Sequence, residues 1–128
     1  MKKSFTLIEL TIVLIIIGIL AAIAVPAYRT TVLGSEGRAA VANLKAIHAA
    51  EKVIELEEDA YVACGNIAAC NTALRIELVD DKYSYNVTTP GSNFRARATR
   101  VAPGDNCTYT IWNTDTQPSS SPQCVYEQ

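Results

Sequence analysis

The chain has 128 residues, with 11 Lys and Arg against 13 Asp and Glu and a formal charge of −2 at pH 7. That is one domain's worth of sequence, and so mild an acidity argues against a dedicated nucleic-acid binder, which is usually basic. A single histidine, His48, leaves no residue set for a Ser-His-Asp or Cys-His hydrolase, and no Gly-rich phosphate loop is present; the reading is a non-enzyme with no cofactor and no metal.

The N-terminal end sets the problem. Leu10 to Tyr28 is an uncharged stretch of 19 residues, LTIVLIIIGILAAIAVPAY. As a helix it is about 28 Å long, close to the ~30 Å hydrocarbon core of a bilayer. Lys2 and Lys3 precede it. Basic flanks stay cytoplasmic, so the N-terminus is expected inside and the rest of the chain across the membrane. Three readings compete. One is a cleaved secretory signal, with Ala22-Ile23-Ala24 as a small-x-small pattern; cleavage after Ala24 or Ala27 would free residues 28–128 as a secreted, disulfide-bonded binding domain. One is a plain anchor. The third is a filament subunit whose anchor becomes the filament core. Glu9 discriminates among them. An acid within a spanning helix costs about 2.5–3.5 kcal/mol at its centre and calls for a partner, and neither a cleaved signal nor a plain anchor needs it.

The block Lys2-Lys3-Ser4-Phe5-Thr6-Leu7-Ile8-Glu9-Leu10, followed by the apolar run with Gly18 and Pro26, resembles the type IV prepilin signature. The resemblance implies a leader of residues 1–4, cut between Ser4 and Phe5 by a dedicated prepilin peptidase, and N-methylation of Phe5. It departs from the family in one position: Gly normally precedes the cut, and here it is Ser4. The resemblance also gives Glu9 a partner, the new α-amino group of Phe5 on a neighbouring subunit. Two buried charges that pair lose far less than two that do not. Gly18 and Pro26 fall where family members soften the helix. Gly and Pro both weaken a helix interior.

Beyond Arg29 the pattern becomes amphipathic. Leu33, Ala40, Val41, Leu44, Ile47, Ala50 and Ile54 recur at helical spacing, with Glu36, Arg38, Asn43, Lys45, Lys52 and Glu55 opposite. The helix is expected to run to about Glu58, and His48, beside the stripe, reads as a satisfied structural histidine. A Cys loop follows over 61–78, with Asn71-Thr72 as a candidate cap for a short helical turn. Three alternating runs then predict strands: Tyr83/Tyr85/Val87, Phe94/Ala96/Ala98, and Cys107 to Asn113. Turn signals separate them at Thr89–Asn93 and Pro103–Asn106. Residues 114–128 read as a C-terminal loop.

The expected fold class is therefore α+β and type IV pilin-like. An apolar helix spans 5–28, and a globular part spans 29–128 with an antiparallel sheet over 83–113. Four cysteines allow three connectivities. The local pairs Cys64–Cys70 and Cys107–Cys124 are expected in an exported chain, and the second resembles the disulfide-bounded C-terminal loop of many type IV pilins. Spacings of six and seventeen do not suit a zinc site. Arg95, Arg97 and Arg100 form a basic run that many copies would repeat. Nucleic acid is the partner such a run would take, against the plainer reading of a solvated strand face that blunts edge pairing.

The resemblance implies a structural subunit that polymerises with itself through its N-terminal helix. It would sit in inner-membrane lipid first, be processed by the peptidase and assembly machinery, and end in an extracellular fimbrium. The other readings are a type II secretion pseudopilin or the secreted binding domain. Pseudopilins typically carry a calcium-binding C-terminal loop and lack cysteines. Here the tail has Asp115 without an acidic cluster and is closed by Cys124.

Overall fold

The computed structural model describes residues 5–102 and 106–124. Residues 1–4, with Ser4 of the expected cleavage site, Pro103, Gly104 and Asp105 of the expected second turn, and residues 125–128 lie outside the described residues. Helix α1 (Leu7–Glu58) runs 52 residues without interruption, about 78 Å. It passes through Pro26 as a helix. Just beyond, the hydroxyls of Thr30 and Thr31 both donate to the Ala27 carbonyl at 2.9 and 3.0 Å. The helix ends at Asp59, which adopts a left-handed conformation (φ 53°) and donates its N–H to the Glu55 carbonyl.

Only the second half of α1 has something to pack on. Gly37, Ala40, Leu44, Ile47, Glu51 and Ile54 are buried, a strict 3-4 alternation along one face. Leu33, Val41 and Ala50 flank it half-buried. Two members of the buried row, Gly37 and Glu51, are not ordinary core residues. A Cβ at Gly37 would stand 2.5 Å from the Tyr109 hydroxyl. The glycine lets helix and sheet approach where any side chain would push them apart.

The sheet is an antiparallel meander ordered β1-β2-β3-β4. Its strands are β1 (Tyr83–Thr88), β2 (Arg95–Arg100), β3 (Thr108–Trp112) and β4 (Ser119–Ser120). The alternation predicted from sequence sets the two faces. Tyr83, Tyr85, Val87, Ala96, Ala98, Tyr109 and Ile111 are buried, while the Ser, Thr, Asn and Arg residues between them face outward. On the central strand the inward residues are alanines. They leave room for α1, and the tyrosines of β1 and β3 fill the space at its sides. The fourth strand corrects the expectation of an unstructured tail over 114–123. Ser119 and Ser120 pair with Thr110 and Tyr109, because the disulfide Cys107–Cys124 returns the tail alongside β3. Closing a loop of this length stabilises by about 3 kcal/mol in the chain-entropy account.

The short helix α2 (Ile67–Leu74) begins earlier than expected. Its N-cap is Asn66, whose side chain accepts from the Ala69 N–H at 2.8 Å, and not Asn71-Thr72. Asn71 lies inside α2 and holds the following turn, accepting from Leu78 N–H at 2.7 Å and donating to Leu78 carbonyl at 3.0 Å. The second disulfide, Cys64–Cys70, ties α2 to the loop before it. That loop is pinned to the sheet by a two-bond bridge between Cys64 and Val87.

Candidate functional site

The first half of α1 is a helix with no partner inside the molecule. Thirteen large aliphatic side chains from Leu7 to Val25 are exposed, together with Phe5 and Tyr28. None of the apolar window is buried. Burying each such side chain is worth about 1.5–3 kcal/mol, so the set forgoes on the order of 20–40 kcal/mol in water. Typical net folding stabilities are only about 5–15 kcal/mol. The segment therefore requires lipid or other chains.

At its tip the residues form a local structure that the spacing Thr6-Leu7-Ile8-Glu9 encodes. Thr6 is the N-cap, and its hydroxyl oxygen accepts from the Glu9 N–H at 3.3 Å. In return one Glu9 oxygen, Oε2, accepts both the Thr6 N–H (2.9 Å) and the Thr6 hydroxyl (2.7 Å). This is a capping box. Glu9 is thus partly satisfied within its own subunit, and only Oε1 is left for another chain. The T-x-x-E signal of this box is legible in the residues themselves. Phe5 immediately precedes the cap and is exposed, so the group that would carry the new terminus is at the very end of the rod. Gly18 has open space around it.

The head is fastened to the second half of α1 by polar links that the helical pattern had put on a wet face. Glu36 is ion-paired with Arg100 of β2, both largely buried. Asn43 donates to the Tyr85 hydroxyl at 3.1 Å, and that hydroxyl donates to Asp80. Burial, with the Asp80 hydrogen bond second, pushes the Tyr85 phenol well above its ordinary range, while Asn43 opposes this. Lys52 reaches Glu55 and the Tyr61 hydroxyl at 3.1 and 3.0 Å. Contacts of this kind also divide the basic run. Arg100 turns inward to Glu36, and Arg95 lies over the Trp112 ring at 5.3 Å. Arg95 and Arg97 share the outward face and Arg100 does not, so the three do not make one patch.

Glu51 went unnoticed in the sequence, since nothing local marks one glutamate on a helix as buried. It is fully buried. Its Oε2 accepts the Val62 N–H at 3.0 Å, fastening the loop that follows α1. Oε1 has no partner among the described residues. His48, one turn earlier, packs its ring against Phe94 at 5.4 Å. Its Nε2 also lacks a partner among the described residues, and ring packing holds this structural histidine in place. Burial raises the Glu51 carboxyl above its ordinary value of 4.5, and the Val62 bond offsets part of that. Above 4.5 and up to the raised value, the native state binds more protons than the unfolded state. Stability therefore falls as pH rises through that window. Thermal melting of the full chain in micelles should show this decline between pH 4.5 and the raised value. The Glu51→Gln variant should lack it; an identical slope in both proteins would contradict the assignment.

Known proteins supply a comparison for this arrangement. Residues 1–25 match the family described as the prokaryotic N-terminal methylation motif. The chain is also 49% identical over 60 residues to the type IV major pilin protein PilA of Myxococcus xanthus (strain DK1622), a match covering 47% of this chain and 27% of that protein. The chain thus spans about a quarter of the length of the curated relative it matches. No solved structure matches it significantly. The chain thus carries the N-terminal methylation motif at the head of an uncovered apolar helix and is similar to a type IV major pilin over 60 residues, and the helix's second half lies on a small antiparallel sheet closed by a C-terminal disulfide.

Proposed function

We infer that the protein is a structural subunit that polymerises through α1 into a type IV pilus-like surface filament. It is first held in the inner membrane by the apolar half of α1, and residues 1–4 are removed between Ser4 and Phe5 by a prepilin peptidase. The exposed apolar half of α1 carries this reading, because a rod that cannot be covered by its own chain is covered by lipid and then by identical rods. The outer face of its second half adds support. Ala39, Ala42, Ala46, Ala49, Val53 and Leu56 are all exposed and spaced alternately by three and four, so a second helix could approach closely along the whole rod.

Assembly assigns roles to the tip residues. The α-amino group of Phe5, methylated or not, meets Oε1 of Glu9 on the neighbouring subunit, and this sets the axial stagger. Gly18 and Pro26 are the points at which the packed helix yields under tension. Nucleic acid is not proposed as a partner, since Arg100 is committed to Glu36 and Arg95 to Trp112. The test is electron microscopy of sheared surface fibres with intact mass of their subunits. Fibres of a chain beginning at Phe5 and carrying two disulfides are expected. A soluble monomer beginning near Val25 or Tyr28 would refute the reading and favour the secreted domain.

A further inference from the structure

The outward face of the sheet holds a charge that assembly through α1 leaves unused. Arg97 stands at the centre of β2, opposite Asn86 on β1 and Thr110 on β3, and Thr110 is opposite Ser119 on β4. This cross-strand row of Asn, Arg, Thr and Ser borders an open groove of about 360 Å³ lined by Arg97, Asn106, Thr110, Ser119, Ser121 and Gln123, among others. That is within the size range of small-molecule sites. None of the described residues lining the groove is acidic.

Arg97 differs from its two neighbours on the strand. Arg95 has the Trp112 ring and Arg100 has Glu36. Arg97 is half-buried, and its Nε is shut off from solvent with no hydrogen-bond partner among the described residues. Taking a guanidinium partly out of water without an anion is unfavourable. The group presents a rigid fork suited to a carboxylate or phosphate. Around it stand hydroxyls and amides that can both donate and accept. Ser121 is already oriented by accepting the Thr108 N–H, and Ser119 by donating to the Thr110 carbonyl.

We propose that this groove binds an acidic sugar. Its carboxylate or phosphate oxygens pair with Arg97, and its ring hydroxyls exchange hydrogen bonds with Asn106, Thr110, Ser119 and Gln123. The β4 strand and the Cys107–Cys124 disulfide complete the site by holding Ser119 to Ser121 beside β3. The site needs one subunit only. In a filament it would recur on every copy, so that weak single sites add up by avidity.

The site is tested on the full-length chain in detergent micelles, where binding is read without assembly and stands or falls separately from it. Trigalacturonate, maltotriose and inorganic phosphate are titrated by calorimetry against the wild type, Arg97→Gln and Arg97→Lys. Saturable binding of trigalacturonate is expected, with none of maltotriose. A loss of roughly tenfold or more should accompany Arg97→Gln, with partial recovery in Arg97→Lys. A further variant, Thr110→Val with Ser119→Ala, should weaken trigalacturonate and leave any phosphate binding unchanged. No binding of trigalacturonate, or equal affinity in wild type and Arg97→Gln, would overturn the proposal. Binding of phosphate without trigalacturonate would overturn the sugar assignment.

Discussion

Cells producing only the Glu9→Val variant are expected to hold the protein in the inner membrane at normal levels and to carry no surface filaments. Valine removes a charge whose insertion costs up to about 2.5–3.5 kcal/mol, so insertion should improve slightly. What is lost is the group that would meet the Phe5 amine of the next subunit. The capping box adds a control. Glu9 also holds the start of α1 through Thr6, and loss of an N-cap costs about 0.5–2 kcal/mol. Thr6→Ala removes the cap's hydroxyl and keeps the carboxylate. It should reduce filament yield only modestly. The measurement is the ratio of sheared-fibre to membrane-bound protein by immunoblot for the two variants. If Thr6→Ala abolished filaments as completely as Glu9→Val, the role of Glu9 would be local to its own helix. Normal filaments from Glu9→Val would remove the pairing altogether.

Phe94→Ala should cost the head more stability than any other single truncation. Phe94 is fully buried. Its ring takes the edge of Tyr61 at 4.9 Å and the His48 ring at 5.4 Å. It therefore ties together α1, the loop after it and the entry to β2. Phe-to-Ala changes in cores cost about 3–5 kcal/mol, a large share of the 5–15 kcal/mol typical of a small domain. The melting temperature of the sheet should fall by at least ~12 °C, followed by near-ultraviolet dichroism of the full chain in micelles. The apolar half of α1 makes no contribution to this transition, so most helical signal should survive. Thr99→Ala, on the outward face of the same strand, should stay within about 0.5 kcal/mol. Equal melting of Phe94→Ala and wild type would show that the Phe94 cluster does not hold the head.

Much of this architecture was legible because it follows from periodicity. The uncharged run to Tyr28, the change to a 3-4 stripe after Arg29 and the alternation in β1, β2 and β3 each report which side of an element is dry. Local chain distance favoured the two short-range disulfides, and these are the pairs formed. The capping box is equally readable, in the three-residue spacing of Thr6 and Glu9. The Asn66 cap was overlooked in favour of a later Asn-Thr pair.

What the linear chain carried was thus local and periodic: the length and greasiness of the rod, the face each strand turns inward, and the acid at the tip. Its long-range pairings were decided by packing. Glu51 is buried and Glu36 is paired because the head folds back over those particular turns of α1, and a helical pattern counts both as polar. Gly37 is required because Tyr109, 72 positions away, comes to rest on it. β4 exists because a disulfide returns the tail to β3, although two serines have no strand signal of their own. Arg97 differs from Arg95 and Arg100 through its neighbours and not its type. Contacts between distant residues depend on how close the elements come, a distance that no spacing along the chain records.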